Sequence, residues 1–212
     1  MVKEDAEDCM PLTLIFLDVD GVLNDSFECK MSKDPPQFTK EFTFRSRSWF
    51  HADKMLRLSR IVRETNAEIV VSSSWRRGLY DFVAKMLDDF LIKHPRGATP
   101  CVRVTGKYFG SYENRGDQIA WYLLHNFTDD EISKMRVIIL DDSDDMGVLK
   151  KTGVFFRTNS YRGLTDTTVH NVVSAKFGNV SNLIQKMKEI NWNIDPRDPD
   201  ASKISCKGTI KL

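Results

Sequence analysis

Residues Leu12–Phe27 read LTLIFLDVDGVLNDSF. Four apolar residues, Leu14 to Leu17, stop at Asp18, and Asp20 and Gly21 follow. A short unbroken apolar run with polar ends fits a strand covered on both faces, because a half-exposed strand would alternate. Two carboxylates flanking one residue at such a strand end repel each other and form an anionic pocket that needs a cation. With no His or Cys close by, hard oxygen donors favour Mg²⁺ over zinc. Gly21 supplies the backbone freedom to turn sharply after the acids.

The same grammar recurs along the chain. AEIVVSS (Ala67–Ser73) is a second buried strand ending in hydroxyls, and VIIL (Val137–Leu140) is another, followed by DDSDD (Asp141–Asp145). GVFFRT (Gly153–Thr158) and CVRVTG (Cys101–Gly106) read as further strands. Helical spacing of apolar residues predicts helices over His51–Thr65, Arg76–Lys93, Gly116–Asn126 and Val180–Ile190, with one more introduced by Gly163 and Thr165 and running to Ala175. Thr128 and Glu131 have capping-box spacing for a short helix. Strands alternating with helices imply a three-layer α/β fold, a parallel sheet with helices on both faces. Ligands of such sheets sit beyond the C-terminal strand ends. Asp18, Ser72–Ser74 and Asp141–Asp142 all fall there. An EF-hand is excluded, since the fifth position from Asp18 is Val22 and the sixth from Asp141 is Met146.

Between Asp25 and Phe50 the sequence FTFRSRSWF alternates. Phe42, Phe44 and Phe50 share one parity, and Arg45, Arg47 and Trp49 the other, which predicts a hairpin arm. About two dozen residues suit a β-hairpin flap, not a folded cap of roughly 50 residues or more. We therefore expect one domain over residues 12–191, with a flap at 25–50, a polar end at 1–11 and a tail at 192–212.

Bulk properties narrow the class. The 212 residues carry 31 basic and 30 acidic side chains, a balance that argues against strong non-specific affinity for nucleic acid or membrane. No apolar run approaches the roughly 18 residues that span a bilayer. The opening MVKEDAEDCM is neither a secretory signal nor a transit peptide. Cys9, Cys29, Cys101 and Cys206 lack CxxC spacing, so reduced thiols are expected, and zinc is not. The expected location is cytoplasmic, with the nucleus left open, and no obligate protein partner is evident.

These motifs carry a family resemblance. FLDVDGVL resembles the DxDG(T/V) signature of haloacid dehalogenase-superfamily (HAD) phosphotransferases. IVVSSSWR, RGDQIAWYL and VIILDDSDDM resemble their second, third and fourth motifs, in order. SSSWR, RGxxIxxW, LDDxxDM and GLT (Gly163–Thr165) together resemble, more narrowly, the HAD domains of Swiss Army Knife RNA-repair proteins. The likeness runs from about Leu12 to Ile184.

The resemblance implies a Rossmann-like HAD fold and a Mg²⁺-dependent phosphatase working through an aspartyl-phosphate. It implies that Asp18 is the nucleophile and that Asp20 is the general acid and then base, its carbonyl also binding Mg²⁺. Ser73 would hold the phosphoryl oxygens, with Ser72 as the alternative. Arg115 would neutralise charge and orient Asp18, with Lys107 as competitor. Asp142 would ligate Mg²⁺, assisted by Asp141. Arg45 and Arg47 on the flap, and Arg76, are candidate substrate contacts, Arg76 having a structural salt bridge as its alternative. Trp75 is read as packing. Asp20 also separates the chain from haloalkanoate dehalogenases, which lack an acid there, and from P-type ATPases, which carry Lys-Thr after the nucleophile. Expected partners are phosphorylated substrates: a polynucleotide or nucleotide phosphate end first, a phosphoprotein second. A catalytically silent binding module is the rival of another class.

Overall fold

The computed structural model describes residues 11–24, 50–100, 104–105, 115–175 and 193–194. The expected flap with Arg45 and Arg47, the competitor Lys107 and the predicted helix Val180–Ile190 lie outside them.

The apolar run forms β1 (Thr13–Leu17) at the centre of the sheet. Beyond it come α1 (Ala52–Thr65), β2 (Glu68–Val71), α2 (Tyr80–Asp89), β3 (Gly97–Ala98) and β4 (Val104–Thr105). Then follow α3 (Arg115–Asn126), α4 (Asp129–Lys134), β5 (Arg136–Asp141), β6 (Phe155–Arg157), α5 (Asp166–Ser174) and β7 (Asn193–Ile194). Five strands pair in the order β3-β2-β1-β5-β6, all parallel. Leu17 is in register with Val71 on one side and Leu140 on the other.

Strand pleating sorts the side chains into two cores. Ile15, Leu17, Ile69, Val71, Ile138 and Leu140 face α1, α2 and α5 through Met55, Leu58, Val83, Leu87, Val169 and Val172. Leu14, Phe16, Val70, Val137 and Ile139 face α3 and α4 through Ile119, Leu123 and Ile132. Every residue of β1 is buried, as expected of a strand covered on both faces. The capping box is present: the Thr128 hydroxyl accepts from the Glu131 N–H, and the Glu131 carboxylate accepts from the Thr128 N–H at 2.7 Å.

Two expectations need correction. The fifth strand of the parallel sheet is Gly97–Ala98 and not CVRVTG. From the latter, Val104–Thr105 pairs antiparallel with Asn193–Ile194, which draws part of the expected tail into a separate two-stranded sheet. The helix expected from Arg76 begins at Tyr80, because Ser74–Arg76 forms a 3₁₀ turn first.

Candidate active site

The sheet ladder runs one residue past each strand. The Asp18 N–H donates to the Leu140 carbonyl at 3.0 Å, Ser72 N–H to Leu17 at 2.8 Å and Thr158 N–H to Asp141 at 2.9 Å. Asp18, Ser72 and Asp141 therefore stand side by side at the C-terminal edge. The strand next in sequence lies on one side of β1 and β5 on the other, so this edge is the switch point of the topology.

Asp18, Asp141 and Asp142 each offer a carboxylate oxygen within 4.8 Å of the others. Asp18 is 4 % exposed and Asp141 fully buried. Burial raises the Asp18 pKa, against the pull of the Arg115 charge and a hydrogen bond from the Ser73 hydroxyl. Burial, reinforced by the Asp18 charge, pushes Asp141 up to about 8. The Arg115 Nη1 lies 2.9 Å from Asp18 Oδ1 and 3.3 Å from Asp141 Oδ2, and donates to the Ser72 carbonyl. Burial works against its charge, yet Asp18 and Asp141 more than offset this and raise its pKa. One guanidinium cannot balance three converging carboxylates. Asp141 Oδ2 also lacks an aligned hydrogen-bond donor among the described residues. An all-oxygen set with an unmatched buried oxygen fits a hard divalent ion such as Mg²⁺.

Gly21 makes room for this cluster. Its φ is +69°, and a Cβ there would fall 2.3 Å from Asp142 Oδ2, so the Asp142 carboxylate occupies the space any side chain would need. The neighbouring wall is fixed by Thr158, whose hydroxyl donates to the Gly21 carbonyl at 2.7 Å. Arg157 Nε donates to the Asp142 carbonyl at 3.0 Å.

The Asp20 carboxylate is not in the acidic triad. Its Oδ1 accepts from Asn24 Nδ2 at 3.0 Å and its Oδ2 from Trp75 Nε1 at 2.8 Å. The Asp20 carboxylate thus stands apart from those of Asp18, Asp141 and Asp142, and the expected part of Asp20 in metal binding is its carbonyl. Ser73 is fully buried, its hydroxyl shared between Asp18 and the Trp75 N–H. The Ser72 hydroxyl is buried with no hydrogen-bond partner among the described residues.

The Arg76 guanidinium is engaged by the protein itself. The residue is 9 % exposed, and its guanidinium donates to the carbonyls of Ser72, Ser73 and Pro100 and to Gln118 Oε1 at 2.6 Å. The Ser72 and Ser73 carbonyls follow β2 and that of Pro100 follows β3, and a buried guanidinium needs such acceptors. Its role is to tie that turn to α3. Sequence reasoning missed Asn24 and assigned Trp75 to packing alone. The available signal was the position of Asn24 four residues after Asp20, within a turn.

The switch point of a central parallel sheet thus carries a buried acid cluster and an arginine. Residues 14–169, more than half of the chain, match the family described as the HAD domain in Swiss Army Knife RNA repair proteins, and the chain belongs to that family. Membership implies a hydrolase of the phosphatase type, in a superfamily that typically uses a metal. Searches of the curated proteins and of the solved structures find no match. Among the described residues no helix is long and apolar enough to cross a membrane.

Proposed function

We propose that the chain is a Mg²⁺-dependent phosphomonoesterase acting through an aspartyl-phosphate on Asp18. The observation that carries this is the buried Asp18 carboxylate, 2.9 Å from Arg115 and converging with Asp141 and Asp142. A carboxylate attacks a phosphate dianion only where positive charge and donors offset the repulsion. The Arg115 charge pulls the Asp18 pKa down against the burial that raises it. Asp141, Asp142, Asp18 and the Asp20 carbonyl would hold Mg²⁺, which supplies further positive charge to the phosphoryl oxygens. The Ser72 hydroxyl is the unspent donor for those oxygens, and Ser73 fixes the nucleophile.

In the first step an Asp18 oxygen bonds to phosphorus, the ester P–O bond breaks, and Asp20 gives its proton to the departing alkoxide. In the second, Asp20 takes a proton from water, whose oxygen attacks phosphorus. The Asp18–phosphate bond breaks, and inorganic phosphate leaves. The family description, a domain of RNA repair proteins, supports a polynucleotide or nucleotide phosphate end as substrate. For its contacts the shared parity of Arg45 and Arg47 in the sequence suggests those two arginines. The intact Asp18 and Asp20 weigh against a silent binding module.

The test is para-nitrophenyl phosphate turnover, with and without chelator, beside Asp18→Asn. Loss of about 10³-fold or more in both cases is expected. Turnover that survives both would overturn the mechanism. A panel of 3′- and 5′-phosphorylated oligonucleotides, nucleotides and phosphopeptides then assigns the substrate. A preference for phosphopeptides would replace the nucleic-acid reading. An unchanged KM on the preferred substrate after Arg45→Ala with Arg47→Ala would reject the arginine contacts.

A further inference from the structure

We propose that Trp75 and Asn24 are positioning residues that together aim the Asp20 carboxyl group at the leaving oxygen. This rests on the phosphomonoesterase reading above and adds a role for two side chains that touch neither metal nor phosphate in it.

Both Asp20 oxygens are taken, Oδ1 by the Asn24 amide at 3.0 Å and Oδ2 by the Trp75 indole at 2.8 Å. An indole N–H and an amide N–H can only donate. Neither can accept the proton that Asp20 carries. That proton must sit on a lone pair the two donors leave over, so the clamp fixes its direction as well as the carboxyl plane. Each donor is itself held. The Asn24 Oδ1 accepts the Gly21 N–H at 3.0 Å, which turns its amide nitrogen toward Asp20. The indole is 8 % exposed, edge-on to Phe50 at 5.7 Å and stacked on Phe82 at 6.2 Å. Its backbone N–H bonds to Ser73 Oγ, so the 3₁₀ turn after β2 carries it. Asp20 and Trp75 are 55 positions apart, and their bond ties the two turns that bear nucleophile and hydroxyls.

His51 N–H donates to the Leu23 carbonyl at 3.1 Å, which brings the neighbours Asn24 and Phe50 to one place. Asn24 holds one Asp20 oxygen, and Phe50 packs on the ring that holds the other.

The experiment compares Trp75→Phe, Asn24→Ala and the reference Asp20→Asn on two substrates, an alkyl phosphate and para-nitrophenyl phosphate. The readout is kcat/KM, which counts only steps up to departure of the alcohol. An alkoxide needs the proton to leave, whereas para-nitrophenolate does not. The clamp variants should lose about 100-fold on the alkyl ester and less than about tenfold on the aryl ester, the pattern Asp20→Asn shows more steeply. Equal losses on both esters, or none on either, would overturn the proposal. Should a variant fail to fold by circular dichroism, the Trp75 indole N–H resonance in the otherwise native protein decides. It shifts in Asp20→Ala if the bond exists, and an unmoved resonance rejects the clamp. Wild-type turnover indifferent to Asp18 and metal would instead sink the underlying reading, a separately recognisable result.

Discussion

Gly21 shows how one missing side chain serves two needs. The left-handed backbone after Asp20 strains any residue with a Cβ by roughly 1–2 kcal/mol. At this position the Cβ would also meet the Asp142 carboxylate at 2.3 Å. Gly21→Ala should therefore cost about 1–3 kcal/mol of stability and move Asp142 out of the cluster, with metal-dependent turnover falling at least tenfold. Urea unfolding and a Mg²⁺ titration of activity check the two effects separately. An alanine variant with wild-type Mg²⁺ dependence would show that Asp142 is not seated there. The need for a glycine was legible in the DVDG string, but its second reason was not, since Asp142 lies 121 positions away. The clamp on Asp20 was hidden for a related reason. A tryptophan just after a buried strand reads as packing, and only the fold reveals that its N–H finds an acid from another turn.

At the scale of elements, α3 is the piece that brings Arg115 to the carboxylates, and its seat is close. A Cβ on Gly116 would fall 2.1 Å from the Met146 carbonyl oxygen, so the first turn lies against the loop after β5. Asp145 secures it by accepting the Arg115 N–H at 3.3 Å through its side chain and the Gly116 N–H at 3.1 Å through its carbonyl. Asp117 is drawn into the same contact. Burial, with the Asp145 charge, pushes its carboxyl up to about 6 from 3.8. The folded state thus keeps this proton where the unfolded chain has released it. Its contribution is complete below about pH 4 and is lost as pH rises through about 6. The full shift corresponds to roughly 3 kcal/mol at most. Asp117→Asn should raise the melting temperature above pH 6 and converge with wild type near pH 4, a trend that calorimetry across that range would reveal. An equal gain at both ends would deny the carboxyl shift its role. Elements whose apolar pattern was continuous, β1, β2 and β5 among them, were readable from sequence. β3 was not, because Gly97–Ala98 carries no apolar signal and is a strand only through Val70 and Val71. The start of α2 was misplaced because Trp75 and Arg76 continue a helical pattern while serving Asp20 and the β2 carbonyls.

For the whole molecule, the acid cluster sets function against stability. Three carboxylates meet at the sheet edge, two of them almost fully buried, and Arg115 answers for only part of their charge. Packing of the two cores on either side of the sheet must carry the repulsion that Arg115 and the raised Asp141 pKa leave over when no cation is bound. Any ion bound by the folded chain alone stabilises it with the logarithm of its concentration once above the dissociation constant, by about 2.7 kcal/mol at a hundred times that constant. The melting temperature should therefore rise with Mg²⁺ and fall with chelator. Asp141→Asn removes one member of the repelling set while leaving Arg115 its 2.9 Å contact with Asp18. In chelator and above about pH 8, where Asp141 is ionised, that variant should melt higher than wild type, by the equivalent of about 1 kcal/mol or more, and respond less to Mg²⁺. The two curves should cross as Mg²⁺ is added. Should wild type melt identically with Mg²⁺ and with chelator, or Asp141→Asn retain the whole Mg²⁺ response, the carboxylates at this edge would not be what holds the ion.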